Sequence, residues 1–272
     1  RSTPATFRRQ HFMPGSLPIL TPLAERAGTP ILRLSDVPNP PPSHNGFFGV
    51  FSHKLVKSGL IGDQEMELPN FLVRQIRSGS AYPFLGAGAS SNSKNRHGRT
   101  PPLAGEFARI LSELTSIEYD PDIDDLSTIC GNAKDILGWD QYVATLKIHY
   151  LHCTPSPELC QFAQYHWRRI YTTNIDDTLE TALRKSGKLF QVYLPNSPID
   201  QEPLNDNEIQ VIKLNGSIDR PENGIVFTPD EYAEYQGLEN TWYEELAKDF
   251  LSYTFLFIGT RLNEPIFKHQ LH

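Results

Sequence analysis

The sequence predicts an α/β domain built on a doubly wound parallel sheet, and three observations predict it. Short apolar runs, Ala81–Leu85, Arg169–Thr172, Ile209–Leu214 and Tyr253–Ile258, alternate with segments whose apolar residues recur at helical spacing. The last run reads Y-T-F-L-F-I, nearly continuous apolar character, as a strand covered on both faces of a parallel sheet requires. Each run ends in a polar tip rich in Gly, Asn, Asp, Ser or Thr, and in an open α/β sheet the carboxyl ends of the strands form the ligand crevice.

The elements follow in order. Residues 1–65 carry closely spaced prolines, Pro38, Pro40, Pro41 and Pro42, which exclude helix and bias their predecessors toward extended backbone. This segment reads as an irregular extension leaning on the main domain, or as a flexible linker. Residues 66–272 form the domain. Phe71, Leu72 and Ile76 suit a short amphipathic helix, and Ala81–Leu85 a strand ending at Gly86. Phe107, Ile110 and Leu111 mark a second helix. The acidic stretch 120–133 reads as a loop or lid. Ile136–His152 and Pro157–Trp167 read as helices, as do Asp176–Lys185, the surroundings of Asp230–Tyr235, and Thr241–Phe250. No internal repeat is visible.

Composition removes several classes of function. The chain has 272 residues, 39% of them hydrophobic, which suits one large domain or a domain plus an extension. A net charge of −7 argues against a general nucleic-acid-binding surface, so no direct nucleic-acid contact is expected. No run of eighteen apolar residues occurs, so no membrane span is expected, and Arg1–Gln10 has no signal-peptide core. Cys130, Cys153 and Cys160 form no C-x-x-C pair, which argues against a zinc ribbon or disulfide framework and for a reduced, cytoplasmic protein. Asp120–Asp125 lacks the order of a calcium loop, and no metal is expected. The first residue is not Met, and the chain stops just after a strand-and-turn signal. It reads as a fragment of a longer protein.

The sharpest local motif is Phe84-Leu85-Gly86-Ala87-Gly88-Ala89-Ser90, a strand running into a small-residue turn. Glycine has no Cβ, so a pyrophosphate can approach the backbone, and exposed N–H groups there attract anionic oxygens. Alone, the turn is equally well an ordinary tight connection. Three more tips join it: Tyr171-Thr172-Thr173-Asn174-Ile175-Asp176-Asp177, Lys213-Leu214-Asn215-Gly216-Ser217 and Phe257-Ile258-Gly259-Thr260-Arg261-Leu262. Asn174 in isolation is a strand-end turn residue. Four tips at one sheet edge argue for a site.

In this order, G-A-G-x-S, T-x-N-x-D, x-G-S and G-T-x-L, the chain resembles the SIR2-like family over roughly residues 68–267, and Thr228–Tyr232 is similar to the T-x-x-x-Y segment of its bacterial defence branch. The resemblance implies a Rossmann-like NAD⁺-binding fold and cleavage of NAD⁺ to nicotinamide and ADP-ribose, with NAD⁺ as substrate. The zinc module of protein-deacylating relatives is absent, which ranks deacylation last. By the same resemblance, Gly86, Ala87, Gly88 and Ser90 cradle the pyrophosphate and ribose. Thr173, Gly216 and Ser217 border the site, and Gly259, Thr260 and Leu262 line the adenosine end. Asn174 binds the nicotinamide-side ribose or positions water, and Asp176 contacts the carboxamide. The family's catalytic His falls at Asn215, a neutral amide with no pKa near neutrality. Asn215 is either an engineered substitution or a natural variant, and the alternative reading is an inactive NAD⁺ or ADP-ribose sensor module. His97, in the polar loop after the glycine turn, is the other histidine within conceivable reach, while His152 and His166 read as packed or surface residues. Also implied are anti-phage defence through abortive infection, a homo-oligomer or a sensor partner outside this chain, and a phage-derived activator.

Overall fold

The computed structural model describes residues 54–57, 64–67, 69–199, 207–236 and 241–260. Two short strands come first, β1 (Lys54–Lys57) and β2 (Gln64–Glu67), paired antiparallel with Lys54 opposite Glu67. The extension expected to be irregular therefore contains strand, and β2 straddles its expected boundary. The remainder of 1–65 lies outside the described residues, as do Arg261 and Leu262.

The domain is α/β, as expected. Five strands, β3 (Ala81–Leu85), β4 (Arg169–Thr172), β5 (Phe190–Tyr193), β6 (Ile209–Lys213) and β7 (Thr254–Ile258), form one sheet in the order β5-β6-β4-β3-β7. Every pairing in it is parallel. The chain runs outward from β3 to β4 and on to the edge strand β5, returns to β6 between β5 and β4, then crosses over to place β7 on the other side of β3. That reversal is a topological switch point, where such sheets open a crevice at their carboxyl edge.

Side-chain alternation divides the core. Ala81 and Leu85 of β3, Ile170 of β4, Val211 of β6 and Ile258 of β7 face one layer. It is covered by α1 (Asn70–Arg77), α4 (Pro157–Phe162) and α5 (Thr178–Lys185), through Ile76, Phe162 and Leu183 among others. The intervening residues Tyr82, Phe84, Tyr171 and Ile212 face α7 (Trp242–Ser252), which contributes Trp242, Tyr243 and Leu246. A period of two in the strands thus feeds two apolar layers. A third cluster joins α2 (Ala104–Thr115) and α3 (Leu126–Tyr150) to Ile175 and Ile218, which belong to the strand-end loops themselves. The remaining helix, α6 (Pro229–Gln236), follows β6 and its loop.

Three expectations are corrected. The acidic stretch 120–133 is not one loop: the Asp120 and Asp124 carboxylates accept backbone N–H groups to close a turn. Asp125 then caps α3 by accepting from the Thr128 N–H, so helix begins at Leu126. The helix expected over Ile136–His152 is the later part of α3, broken at Gly138 with φ +73°, and His152 lies beyond its end at φ +60°. The helix expected over Pro157–Trp167 stops at Phe162, where the Trp167 indole N–H donates to the Phe162 carbonyl and satisfies a helix-end acceptor. Strand β5 was not anticipated. Its F-Q-V-Y sequence is half-buried at a sheet edge and lacks the apolar run of the inner strands.

Candidate functional site

The glycine turn follows β3 as a single 3₁₀ turn, Ala87–Ser90. Its shape is set by β7. Gly86 N–H donates to Ile258 O at 2.9 Å, Gly88 N–H to Gly259 O at 2.8 Å, and Ala89 N–H to Gly86 O at 2.9 Å. A Cβ on Gly88 would lie 2.8 Å from Gly259 O, and one on Gly259, whose φ is +67°, would lie 2.1 Å from Ala89 N. The small residues therefore let two strand tips touch backbone to backbone, a contact between residues 171 positions apart that sequence reading alone did not reveal. It also commits the amides of Gly86, Gly88 and Ala89 within the protein. Ala87 stays exposed and Gly88 half-buried on the turn's outer side.

The β4 tip is drawn onto this turn. Thr173 N–H donates to Leu85 O at 3.2 Å, and Thr172 Oγ1 donates to the same carbonyl at 3.0 Å. Asn174 Nδ2 donates to Gly86 O at 3.0 Å and to Ser90 Oγ at 3.3 Å. Ser90 Oγ in turn donates to Asp176 Oδ1 at 3.2 Å, an oxygen that also accepts the Thr178 N–H at 3.0 Å. Ser90 and Asp176 are buried, whereas Asn174 is half-buried. The structure thus brings together Gly86, Ser90, Asn174 and Asp176, and the last three line one small cleft with Leu85, Thr172 and Glu180. Asp176 has a structural duty besides, because its carboxylate receives an N–H at the start of α5, where a helix dipole favours negative charge.

The β6 tip stands beside the β4 tip through backbone bonds: Leu214 N–H donates to Thr172 O at 2.8 Å and Ile218 N–H to Ile175 O at 2.9 Å. Gly216, at φ +85°, lies so close to Gly224 that a Cβ would come within 2.1 Å of its carbonyl oxygen, so only glycine fits. Asn215 is 4% exposed, and its Nδ2 donates to Tyr232 Oη of α6 at 2.8 Å. Asn215 Oδ1 and Ser217 Oγ are buried without a hydrogen-bond partner. No hydrogen bond joins Asn215 to Asn174 among the described residues. Thr260 is buried at the β7 tip beside Gly259. Arg261 and Leu262 lie outside the described residues.

Two buried residues escaped the sequence reading. Lys213, the last residue of β6, donates through Nζ to Asp176 O at 2.6 Å, Ile175 O at 3.3 Å and Glu180 Oε1 at 2.6 Å. Their side chains are 1% and 4% exposed. Burial lifts the Glu180 carboxyl above the ordinary carboxylate range, against the opposing pull of Lys213. The available signal was a lysine ending an otherwise apolar strand and a glutamate on the apolar side of α5, between Leu179 and Leu183.

Of the histidines, His97, His152 and His166 are exposed, and no hydrogen bond ties any of their rings to the Ser90–Asn174–Asp176 cluster. Among the described residues no group of three His, Cys, Asp or Glu is arranged to hold a metal ion, and no helix is long and apolar enough to cross a membrane.

Strand order and tip geometry define a Rossmann-like, doubly wound α/β domain whose polar residues gather at the carboxyl edge of its sheet. Comparison with known proteins narrows the class. Residues 168–272 match the SIR2-like domain family. NAD(+) hydrolase ThsA of Acinetobacter baumannii is 30% identical over 111 residues, covering 41% of this chain and 23% of that protein. NAD(+) hydrolase ThsA of Bacillus cereus is 26% identical over 95 residues, covering 35% and 20% respectively. The matched segments thus span less than a quarter of either relative's length.

Proposed function

We propose that this domain binds NAD⁺ at the carboxyl edge of its sheet and is built to hydrolyse the nicotinamide–ribose bond, releasing nicotinamide and ADP-ribose. The observation that carries this reading is the hydrogen-bonded cluster of Ser90, Asn174 and Asp176 against the glycine turn. The names of the two relatives support the same chemistry. Cleavage leaves an oxocarbenium-like ribose, and water must be held on the face opposite the departing nicotinamide. Asn174 Nδ2 is engaged by Gly86 and Ser90, which leaves its carbonyl oxygen as the acceptor for a ribose hydroxyl or for that water. Asp176 offers a carboxylate to the nicotinamide carboxamide. With the amides of Gly86, Gly88 and Ala89 committed, the pyrophosphate meets the outer side of the turn at Ala87 and Gly88 together with Ser90. In this reading Gly216 and Ser217 border the bound NAD⁺ from the β6 tip, Gly259 and Thr260 take its adenosine end, and Thr173 borders it beside Asn174.

Asn215 occupies the position of the base. An amide takes no proton at neutral pH, and losing a general base costs about 10²–10⁴-fold in rate. The chain as it stands is therefore a slow hydrolase, in a protein of the defence type that consumes NAD⁺ in the cytoplasm on phage infection. The neutral Asn215 specifically favours a second reading, an NAD⁺ or ADP-ribose sensor module. Calorimetry with NAD⁺ and a nicotinamide-release assay on Asn215→His separate the two. The hydrolase reading expects NAD⁺ binding by both proteins and a rate about 10²-fold or more higher in the variant. Binding without turnover in Asn215→His leaves the sensor, and absence of NAD⁺ binding by either protein refutes both.

A further inference from the structure

We infer that Lys213 and Glu180 are a positioning pair, which holds the Asn174–Asp176 loop in the conformation that NAD⁺ meets. The inference rests on the NAD⁺-binding reading above and deepens it. The ammonium donates to three acceptors, two of them the main-chain carbonyls of Ile175 and Asp176. Those carbonyls flank the peptide that carries Asp176 and follow Asn174 directly. The third acceptor, Glu180 Oε1, stands in the first turn of α5, so the same cation ties the loop to the helix it leads into. Lys213 also lies two residues before Asn215. One buried cation therefore sets the spacing between the β4 tip, with Asn174 and Asp176, and the β6 tip, with Asn215 and Ser217.

A purely structural account of the pair is insufficient. Two charges buried in a core are often replaceable by apolar side chains of similar volume without loss of stability. Here the cation is used on strand-end carbonyls rather than in the apolar layer. The other Glu180 oxygen, Oε2, is buried without a partner, and Glu180 lines the same cleft as Ser90, Asn174 and Asp176. Main-chain carbonyls at a sharp strand-to-helix turn cannot all be satisfied by regular structure, and a lysine ammonium supplies three donors at one point.

The test compares the chain with the double variant Lys213→Met, Glu180→Leu, which removes both charges and keeps the volume. Glu180→Gln, which retains an oxygen acceptor for Lys213, is the conservative control. Amide hydrogen exchange in the ligand-free proteins reads the loop directly. The reporters are Asn174 N–H, Thr178 N–H and Ile218 N–H, whose acceptors lie in or beside the loop. In the double variant we expect cooperative melting to persist, these three amides to exchange roughly tenfold faster or more, and NAD⁺ affinity to fall roughly tenfold to a hundredfold, the scale of lost second-layer support. Glu180→Gln is expected to retain most of the affinity. Unchanged exchange at the three amides overturns the pair's role whatever NAD⁺ does. Loss of cooperative folding in the double variant overturns it too, by showing that the pair serves the core. Absence of NAD⁺ binding by the unaltered chain refutes the functional reading, and exchange then still decides whether the pair orders the loop.

Discussion

The contact between the glycine turn and Gly259 makes a quantitative prediction. Gly259→Ala places a methyl group 2.1 Å from Ala89 N and 2.4 Å from Gly88 C, and does so at φ +67°. A side chain in the left-handed region costs about 1–2 kcal/mol. Overpacking against atoms that must move adds about 1–3 kcal/mol, and here those atoms are backbone rather than a flexible side chain. The sum is about 2–5 kcal/mol, which in a domain of this size lowers Tm by roughly 4–20 °C. Gly187 supplies the control. It follows α5 at φ +65° with nothing within 4 Å of its would-be Cβ, so Gly187→Ala isolates the conformational part, about 1–2 kcal/mol. Gly88→Ala supplies the steric part alone, since its φ lies outside the left-handed region and its three nearest atoms all belong to Gly259, with the oxygen at 2.8 Å and Cα at 2.9 Å. Thermal melts of the three variants under one set of conditions test the assignment. If Gly259→Ala melts no lower than Gly187→Ala, the two tips are not in backbone contact and the account of the turn is wrong.

Two further perturbations probe the support of the sheet. Arg169 donates to Gln210, Glu245 and Asp249 and lies over the rings of Tyr82 and Trp242, so Arg169→Met leaves a buried carboxylate at Asp249 and is expected to cost about 3–5 kcal/mol, read as the shift in urea midpoint. His149 has its pKa lowered by burial, with His97 and Arg99 adding repulsion. Its native pKa lies below the unfolded value, so the unfolded chain binds the proton first, and stability held above about pH 6.5 declines as pH falls through the native pKa. His149→Phe is expected to flatten that decline between pH 7.5 and 5 in urea titrations, and an unchanged pH profile would refute the assignment.

What the sequence discloses and what it conceals follow from the range of the interactions. Apolar continuity marks β3, β4, β6 and β7 because each is sandwiched between helices, and their polar tips are legible because a strand end must change character within a residue or two. Strand β5 escapes, being a half-buried edge in which Phe190 and Val192 alternate with a polar neighbour over too few residues to mark a period. The acidic run 120–125 looks like a loop through its whole length because a cap and the turn before it use the same residue types as a loop. Only the Thr128 N–H bond to Asp125 locates the helix start. In the candidate site the residues are legible and their bonds are not. Gly88 is readable as a small residue but not as the partner of Gly259, and Lys213 is readable as a strand-end cation but not as the donor to Ile175 and Asp176.

The four tips are not equivalent, and the asymmetry bears on the chemistry. The turn after β3, the β4 tip and the β7 tip are joined to one another, with Asn174 held through Gly86 and Ser90 and the turn held by Ile258 and Gly259. Polar groups on those three tips have little freedom once the sheet has formed. The side chain of the fourth tip answers to α6 instead: Asn215 donates to Tyr232, and α6 is itself tied to α3 by the Lys134–Glu231 ion pair at 2.7 Å. A histidine at 215 would stand beside the same hydroxyl, which can donate to or accept from a ring nitrogen. Tyr232 would therefore anchor a ring at this position through its hydroxyl while leaving the Asn174 cluster untouched. Gain of turnover in Asn215→His would then depend on α6 staying in place, whereas NAD⁺ binding through the other three tips would not.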